Sequence, residues 1–234
     1  MANLAISAVC NQSCAYCFTV DHLGYQGRIP DSGTDQGFMP LGDLQERLDF
    51  LTRSEIDEVR FLGGEPTLHP EFTKLVEQAL AVANEITVFS NGLMPVEAVA
   101  CLASVPVDRC TVVVNVNEPS EHFGKGTQKR QQEVVGLLGE RAMLGFNIYW
   151  TGFRPDFLVD LITATDCTPN IRLSMAQPCL SGSNTYIHPN QYRTVAIRIT
   201  RFARLAAEQG ITLDFDCGFV RCMFSSADLE TLEA

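Results

Sequence analysis

Basic residues are scarce: 17 Lys and Arg stand against 28 Asp and Glu in 234 residues, a formal net charge of −11 at pH 7. Affinity for nucleic acid rests largely on Lys and Arg neutralising phosphates, so a DNA or RNA partner is not expected. No apolar run approaches the ~18 residues that a membrane span needs. The first residues, Met1 to Val9, have neither the basic flank nor the length of a signal peptide. These absences together lead to the expectation of a soluble, cytoplasmic protein with no membrane partner. Internal repeats and low-complexity tracts are missing, as are Ser-His-Asp and HExxH arrangements. With 46% hydrophobic and 19% charged residues, the chain can bury the core of one globular domain.

Cysteine, by contrast, is plentiful. Nine of them, an odd number with no secretory signal, point to metal ligation or reactive thiols rather than to a disulfide framework. Their positions therefore carry the functional question.

Short apolar, β-branched runs alternate with longer stretches of helical spacing, the pattern of repeated βα units around a parallel sheet. Strands are expected at Leu4–Val9, Glu58–Leu62, Glu85–Ser90, Arg109–Asn117, Phe146–Gly152 and Asn170–Gln177, with a further run at Ile211–Asp216. Helices are expected at Asp43–Arg53, Pro70–Ala83, Val96–Ala103, Thr127–Leu144, Asp156–Ala164 and Pro189–Gln209. Gly145 and Gly210 fall where left-handed helix caps are wanted. A closed barrel of eight units usually takes about 250 residues, so six units and a tail fit an incomplete one. The fold class expected is α/β, a partial (β/α)6 TIM-type barrel with a short C-terminal extension. Residues 1–210 would form the core domain, and residues 211–234 a seventh strand and its continuation. The longest loop, Phe18 to Leu41, is rich in Gly, Asp and Pro and reads as functional.

Cys10, Cys14 and Cys17 follow directly on the first strand, in the loop at its carboxyl end, where βα barrels place their chemistry. Three thiolates so close, spaced C-x3-C-x2-C, can wrap one face of a small iron–sulfur cluster. The next cysteine is Cys101, so one iron would stay open to a ligand. Plainer readings are a structural zinc site completed by His22, or three unlinked buried thiols. A second signal, Gly63-Gly64-Glu65-Pro66, ends the second strand. Glycines there let the backbone approach a ligand closely, and a Gly-Gly pair also makes an ordinary turn.

Together these motifs resemble the radical S-adenosylmethionine (SAM) superfamily, whose cluster motif is C-x3-C-x-aromatic-C. Tyr16 fills the aromatic position, and the GGEP-type motif is matched letter for letter. The resemblance implies a 4Fe–4S cluster on Cys10, Cys14 and Cys17, Tyr16 near the SAM adenine, and contacts from Gly63, Gly64 and Glu65 to the SAM amino group. It further implies ribose contacts from Ser90 and Asn91 after the third strand and from Asn115 and Asn117 after the fourth. Asn and Ser also serve turns and caps at such positions. Arg172 shares a strand face with Ser174 and Ala176, and is either a cofactor contact in the cavity or a surface residue.

The function implied by the resemblance is reductive cleavage of SAM to a 5′-deoxyadenosyl radical that takes hydrogen from a substrate. A one-electron reductant of flavodoxin or ferredoxin type is implied with it. No motif names the substrate, a small molecule or a peptide. A peptide or natural-product intermediate leads, because the tail resembles the opening of an auxiliary-cluster (SPASM or twitch) region. There Cys217 and Cys222, with Cys179 as the nearest third ligand, are candidates for a second iron–sulfur cluster, two ordinary thiols being the plainer reading. Cys101, Cys110 and Cys167 are expected to be buried structural thiols. The competing class of function is a non-catalytic binding protein that keeps a structural iron–sulfur or zinc site.

Overall fold

Each strand-forming run finds its neighbour in sequence as its neighbour in space. β1 (Ala2–Ser7), β2 (Glu58–Gly63), β3 (Glu85–Ser90), β4 (Cys110–Asn115), β5 (Ala142–Ile148), β6 (Asn170–Met175) and β7 (Thr212–Phe215) form one sheet in that order. Every pairing is parallel. The computed structural model describes residues 1–19, 37–119 and 124–233. Between the strands lie α1 (Leu41–Arg53), α2 (Phe72–Val82), α3 (Val96–Ser104), α4 (Gly124–Leu138), α5 (Phe157–Thr163) and α6 (Tyr192–Glu208), and α7 (Ser226–Leu232) follows β7. Most of the long loop Phe18 to Leu41 lies outside the described residues, as does His22. No helix among the described residues is long and apolar enough to cross a membrane.

Alternation along the strands sorts their side chains onto two faces. Val59 and Phe61 of β2, Ile86 and Val88 of β3, and Ile171 and Leu173 of β6 are buried in one core with the helix residues Leu44, Leu48, Leu75, Val99 and Leu102. The alternate residues Arg60, Thr87, Phe89, Asn147, Arg172 and Ser174 stay partly exposed on the other face. That face is concave. The Arg172 guanidinium stands 4.6 Å over the Phe89 ring, although strands three apart in a flat sheet are separated by roughly 14 Å. β1 and β7 are the two ends of the sheet, so the barrel stays open and its lumen is solvated.

Local sequence explains how the units are joined. Arg109, at the entrance to β4, donates to the carbonyls of Leu80, Ala83 and Asn84 at 2.7–2.9 Å and so closes the end of α2. Arg141 does the same at the entrance to β5, donating to Val105 O at 2.6 Å beyond α3. The outer edge of β1 is covered by Phe38, which bridges Ser7. His69 fixes that cover: its Nδ1 accepts from Glu71 N at 3.0 Å, so Nε2 carries the proton and donates to Met39 O at 2.8 Å.

Two segments differ from expectation. α4 ends at Leu138 and not Leu144, because Gly139 (φ 56°) turns the chain and Ala142–Ile148 pairs with both β4 and β6. Gly145 is therefore no helix cap. It faces the lumen in mid-strand, where a Cβ would sit 2.4 Å from Asn115 Oδ1. Gly210 (φ 68°) does close α6 in the left-handed conformation. The hydrophobic pattern does not announce α7. It starts at a capping box formed by Ser225 and Asp228, and the pairing of Arg193 with Asp228 docks it on α6.

Candidate functional site

The end of β2 lies directly on the end of β1. Gly63 has φ 140°, and a Cβ there would sit 2.1 Å from Ser7 O, so only glycine fits. Beyond it Gly64 N donates to Ser7 O at 2.7 Å and Glu65 N to Val9 O at 2.8 Å. These bonds carry the pairing past the strand ends and deliver the chain into Cys10. The loop then turns between Cys14 and Cys17, where Cys17 N donates to Cys14 O at 3.0 Å.

All three thiols of this loop are partly exposed. Cys10 Sγ accepts from Gln12 N at 3.4 Å and from Asn91 Nδ2 at 3.6 Å. Cys14 Sγ donates to Gln12 Oε1 at 3.5 Å, and Cys17 Sγ lies 3.0 Å from Thr19 Oγ1. Burial pushes the Cys14 thiol up to about 11, the nearby polar Tyr16 hydroxyl holds it back, and charge on Cys10 and Cys17 raises it further. The three sulfurs thus share one electrostatic neighbourhood. Among the described residues no three His, Cys, Asp or Glu side chains gather tightly enough to grip a single metal ion. A tetrahedral zinc with bonds of ~2.3 Å brings its sulfurs to about 3.8 Å from one another, whereas in a cluster each thiolate takes a different iron. Three soft donors within eight residues of one loop suit the second kind of group.

Glu65 is fully buried, and its carboxylate collects four hydrogen bonds. Thr67 N and Oγ1 donate at 3.2 and 2.6 Å, Ser90 Oγ at 2.9 Å and Asn91 N at 2.7 Å. Burial pushes its pKa up and these donors draw it back. Ser90 Oγ also accepts from Gly92 N at 3.0 Å. The Asn91 amide donates to Asn11 Oδ1 at 2.7 Å as well as to Cys10, and accepts from Leu93 N at 2.8 Å. Glu65, Ser90 and Asn91 therefore form one bracket that ties the ends of β2 and β3 to the cysteine loop. Gln131 of α4 completes it: this buried amide donates to Asn91 O at 2.7 Å and to Asn115 O at 3.4 Å. No motif pointed to Gln131.

On the other side of the loop, the Tyr16 hydroxyl donates to Asn117 Oδ1 at 2.7 Å, and its ring stacks on Tyr149 with centroids 4.8 Å apart. Burial, and then the neighbouring Cys14, push the phenol well above its ordinary value. Asn184, also without a sequence signal, accepts from Cys179 N at 2.9 Å and donates to Tyr16 O at 3.2 Å and Gln177 O at 2.8 Å. Thr185 N donates to Ala15 O at 2.7 Å. The segment after β6 thus braces the segment after β1.

Asn115 and Arg172 face the lumen. Arg172 pairs with Asp216 at 2.8 Å, and Ser174 Oγ donates to the same carboxylate at 3.2 Å. Met175 N donates to Cys217 O at 2.9 Å, which sets the end of β7 beside that of β6 on the same rim. Cys217 and Cys222 are exposed, while Cys179 is buried with Sγ 3.3 Å from Ser181 Oγ, and the three do not converge on one point. Cys110 and Cys167 are buried at the entrances to β4 and β6. Cys101 departs from expectation: α3 turns it toward Thr73 and Glu77 of α2, where it is only half-buried.

Comparison with known proteins places this geometry. The chain is 30% identical over 135 residues to the GTP 3′,8-cyclase of Streptomyces coelicolor, a match covering 56% of this chain and 38% of that protein. It is 29% identical over 141 residues to the S-adenosylmethionine-dependent nucleotide dehydratase of Selenomonas ruminantium, covering 57% and 45%. The chain thus spans less than half the length of either relative. In fold it resembles Streptococcus suis SuiB bound to S-adenosylmethionine, with a TM-score of 0.70 at 16% identity over 97% of this chain and 53% of that one. The sequence profile of the Radical SAM superfamily matches residues 4–149, from β1 past the end of β5 and across the whole cysteine loop and its bracket, and the chain belongs to that superfamily.

Proposed function

We propose that Cys10, Cys14 and Cys17 ligate three irons of a 4Fe–4S cluster, that SAM takes the open iron, and that the substrate is a peptide or natural-product intermediate. Superfamily membership brings the 4Fe–4S cluster, SAM and enzymatic chemistry with it. Together these cofactors supply one-electron cleavage of SAM to a 5′-deoxyadenosyl radical that takes hydrogen from a C–H bond. The observation that carries the ligand assignment is the bracket. The Gly63–Glu65 backbone and the Asn91 side chain hold Cys10 and the start of the cysteine loop at the carboxyl end of β1.

The protein's own groups have distinct tasks in this reading. N–H donors from Gln12 and Asn91 favour the Cys10 thiolate and tune whatever metal it binds. The raised Cys14 thiol gives up its proton as metal binds. Buried Glu65 fixes the turn, so that backbone carbonyls of Gly63 and Gly64 meet the SAM amino group while its carboxylate stays inside. Ser90 and Asn91 are engaged in the same bracket and Asn117 in the hydrogen bond from Tyr16, so that of the four the Asn115 side chain is best placed for the ribose, and Tyr16 stands by the adenine. Arg172, with Ser174 and Asp216, borders the lumen where the cofactor meets the substrate.

The charge pattern supports an unphosphorylated substrate. Arg60 is paired with Glu58 at 2.6 Å and Arg172 with Asp216 at 2.8 Å, so both lumen arginines already face a carboxylate. Residues 211–234 would begin an auxiliary region, with Cys217, Cys222 and Cys179 holding a second cluster. A flavodoxin- or ferredoxin-like donor in the cytoplasm would supply the electron.

The test is anaerobic reconstitution with iron, sulfide, SAM and a strong reductant. 5′-Deoxyadenosine should form, and Cys10→Ala, Cys14→Ala and Cys17→Ala should each abolish it with unchanged far-UV circular dichroism. Cleavage retained in any of the three overturns the ligand assignment. Bound iron without cleavage would favour a structural metal site. Residual cluster in the protein lacking all three cysteines supports the second site, and its absence overturns that part.

A further inference from the structure

A cleft of about 310 Å³ opens beside the cysteine loop, between the segments that follow β5 and β6. Its walls are aromatic: Tyr149, Trp150 and Tyr186, with the His188 ring packed on Tyr186 at 4.4 Å. Asn184 and Thr185 line it too, and both bond to the cysteine loop, at Tyr16 O and Ala15 O. Among the described residues, no Lys, Arg, Asp or Glu lines it. The carboxylate beside its wall, Glu118, accepts a hydrogen bond from the indole and faces Arg154 and Arg198. Those two guanidiniums balance its charge.

Trp150 is 44% exposed, a large apolar area for a residue type that is usually well covered. The cause is visible in the backbone. The indole rests on Gly152, where a Cβ would sit 2.2 Å from Trp150 Cζ3, so glycine lets the ring lie flat against the chain. Tyr149 is held likewise by its stack on Tyr16. Two rings backed by the protein and a third lining the same cleft make a platform that gains from stacking another flat ring. An aliphatic group would gain only buried area, an anion would find no counter-charge among the described lining residues, and an ammonium ion would gain only weakly over ring faces this exposed. The volume stands at the lower end of the ~300–1,000 Å³ typical of ligand sites, enough for one ring system and its attachments.

The geometry points to a subsite of this cleft that anchors an uncharged aromatic ring of the substrate, such as a phenol or indole side chain, against Trp150 and Tyr186. In calling the ring the substrate's, the inference rests on the proposed function. The binding itself does not require SAM cleavage, so the two fail separately.

Trp150 is the single tryptophan of the chain, so its emission reports on the cleft alone. Anaerobically reconstituted protein is titrated with N-acetyl-L-tyrosinamide, N-acetyl-L-leucinamide and N-acetyl-L-lysinamide, exciting at the red edge of the indole band, with and without saturating SAM. The expected result is a saturable change with the tyrosine derivative only, at the same midpoint with SAM present. Tyr186→Ala removes one wall, and Gly152→Ala lifts the indole from its seat. Each should weaken binding at least tenfold with an unchanged far-UV spectrum. Absence of saturation, an equal response to the leucine or lysine derivative, or unchanged binding in both folded variants overturns the inference. Displacement by SAM also overturns it, by making the cleft the adenine end of the cofactor site. Intact binding in protein that fails to cleave SAM would overturn the proposed function and leave the cleft standing.

Discussion

Deleting the Glu65 carboxylate should unlock the rim before it touches any cofactor. In Glu65→Ala the donors Thr67 N, Thr67 Oγ1, Ser90 Oγ and Asn91 N lose their acceptor at a place with no solvent access. The two hydroxyls can rotate, but the two backbone N–H groups cannot, and each orphaned donor costs about 1–3 kcal/mol. Relief from burying a charge offsets part of this, leaving a net loss of about 3–4 kcal/mol. For a chain of this size that lowers Tm by roughly 6–16 °C. Glu65→Gln keeps an acceptor for Thr67 and Ser90 and disturbs mainly Asn91 N, so it should cost less, about 1–2 kcal/mol. The pH dependence has a definite sign. The folded pKa is raised, so the stability this group contributes is greatest below the ordinary glutamate value of ~4.3 and is lost as pH rises through the folded value. The gap between wild type and Glu65→Gln should therefore narrow as pH rises from ~4.3. Thermal and urea unfolding of the anaerobic protein measure all three quantities. An alanine variant that unfolds within ~2 °C of wild type, or a gap that widens with rising pH, would refute this account of the bracket.

Gly63→Ala forces a Cβ to 2.1 Å from Ser7 O and should cost about 2–4 kcal/mol, seen as a lower urea midpoint together with a loss of bound iron. Tyr16→Phe leaves the buried Asn117 Oδ1 without its 2.7 Å donor and should cost about 1–2 kcal/mol in the same assay while the stack on Tyr149 persists in the near-UV spectrum. Asn184→Ala frees both Tyr16 O and Cys179 N, and should raise the rate at which a chelator strips iron from the reconstituted protein. Asp228 is held well below the usual carboxylate range by Ser225 and Arg193. Its contribution is present above the unfolded value of ~3.9 and lost as pH falls through the folded one, so hydrogen exchange in α7 should quicken on acidification below ~3.9 and not above it.

Where local signals agreed with tertiary packing, the sequence was readable. β3 falls at Glu85–Ser90 as expected, because β-branched alternation and the turns at both ends coincide. β5 was misplaced because Val134, Val135 and Leu138 of α4 run on through Ala142 and Leu144 with apolar spacing that a helix would also show, and Gly145 looked like its cap. That glycine answers to a contact with Asn115 on the neighbouring strand, which no local pattern reveals. The cysteine triplet and the Gly-Gly-Glu turn were legible as motifs, but the task of Glu65 was not. Its burial depends on Ser90 and Asn91 arriving from another strand. Gln131 and Asn184 act on backbone carbonyls 40 and 168 residues away, so neither leaves a mark on the sequence around it.

The brace from Asn184 and Thr185 to the cysteine loop also fixes an order of events during biosynthesis. The first strand and its thiols leave the ribosome early, yet the partners for Tyr16 O and Ala15 O appear only when residues 184 and 185 have been made. Closing so long a stretch of chain costs entropy that is recovered only when the contact forms. The cysteine loop is thus among the last parts of the rim to become rigid. A nascent chain stalled near residue 150 would carry Cys10, Cys14 and Cys17 on an unbraced strap.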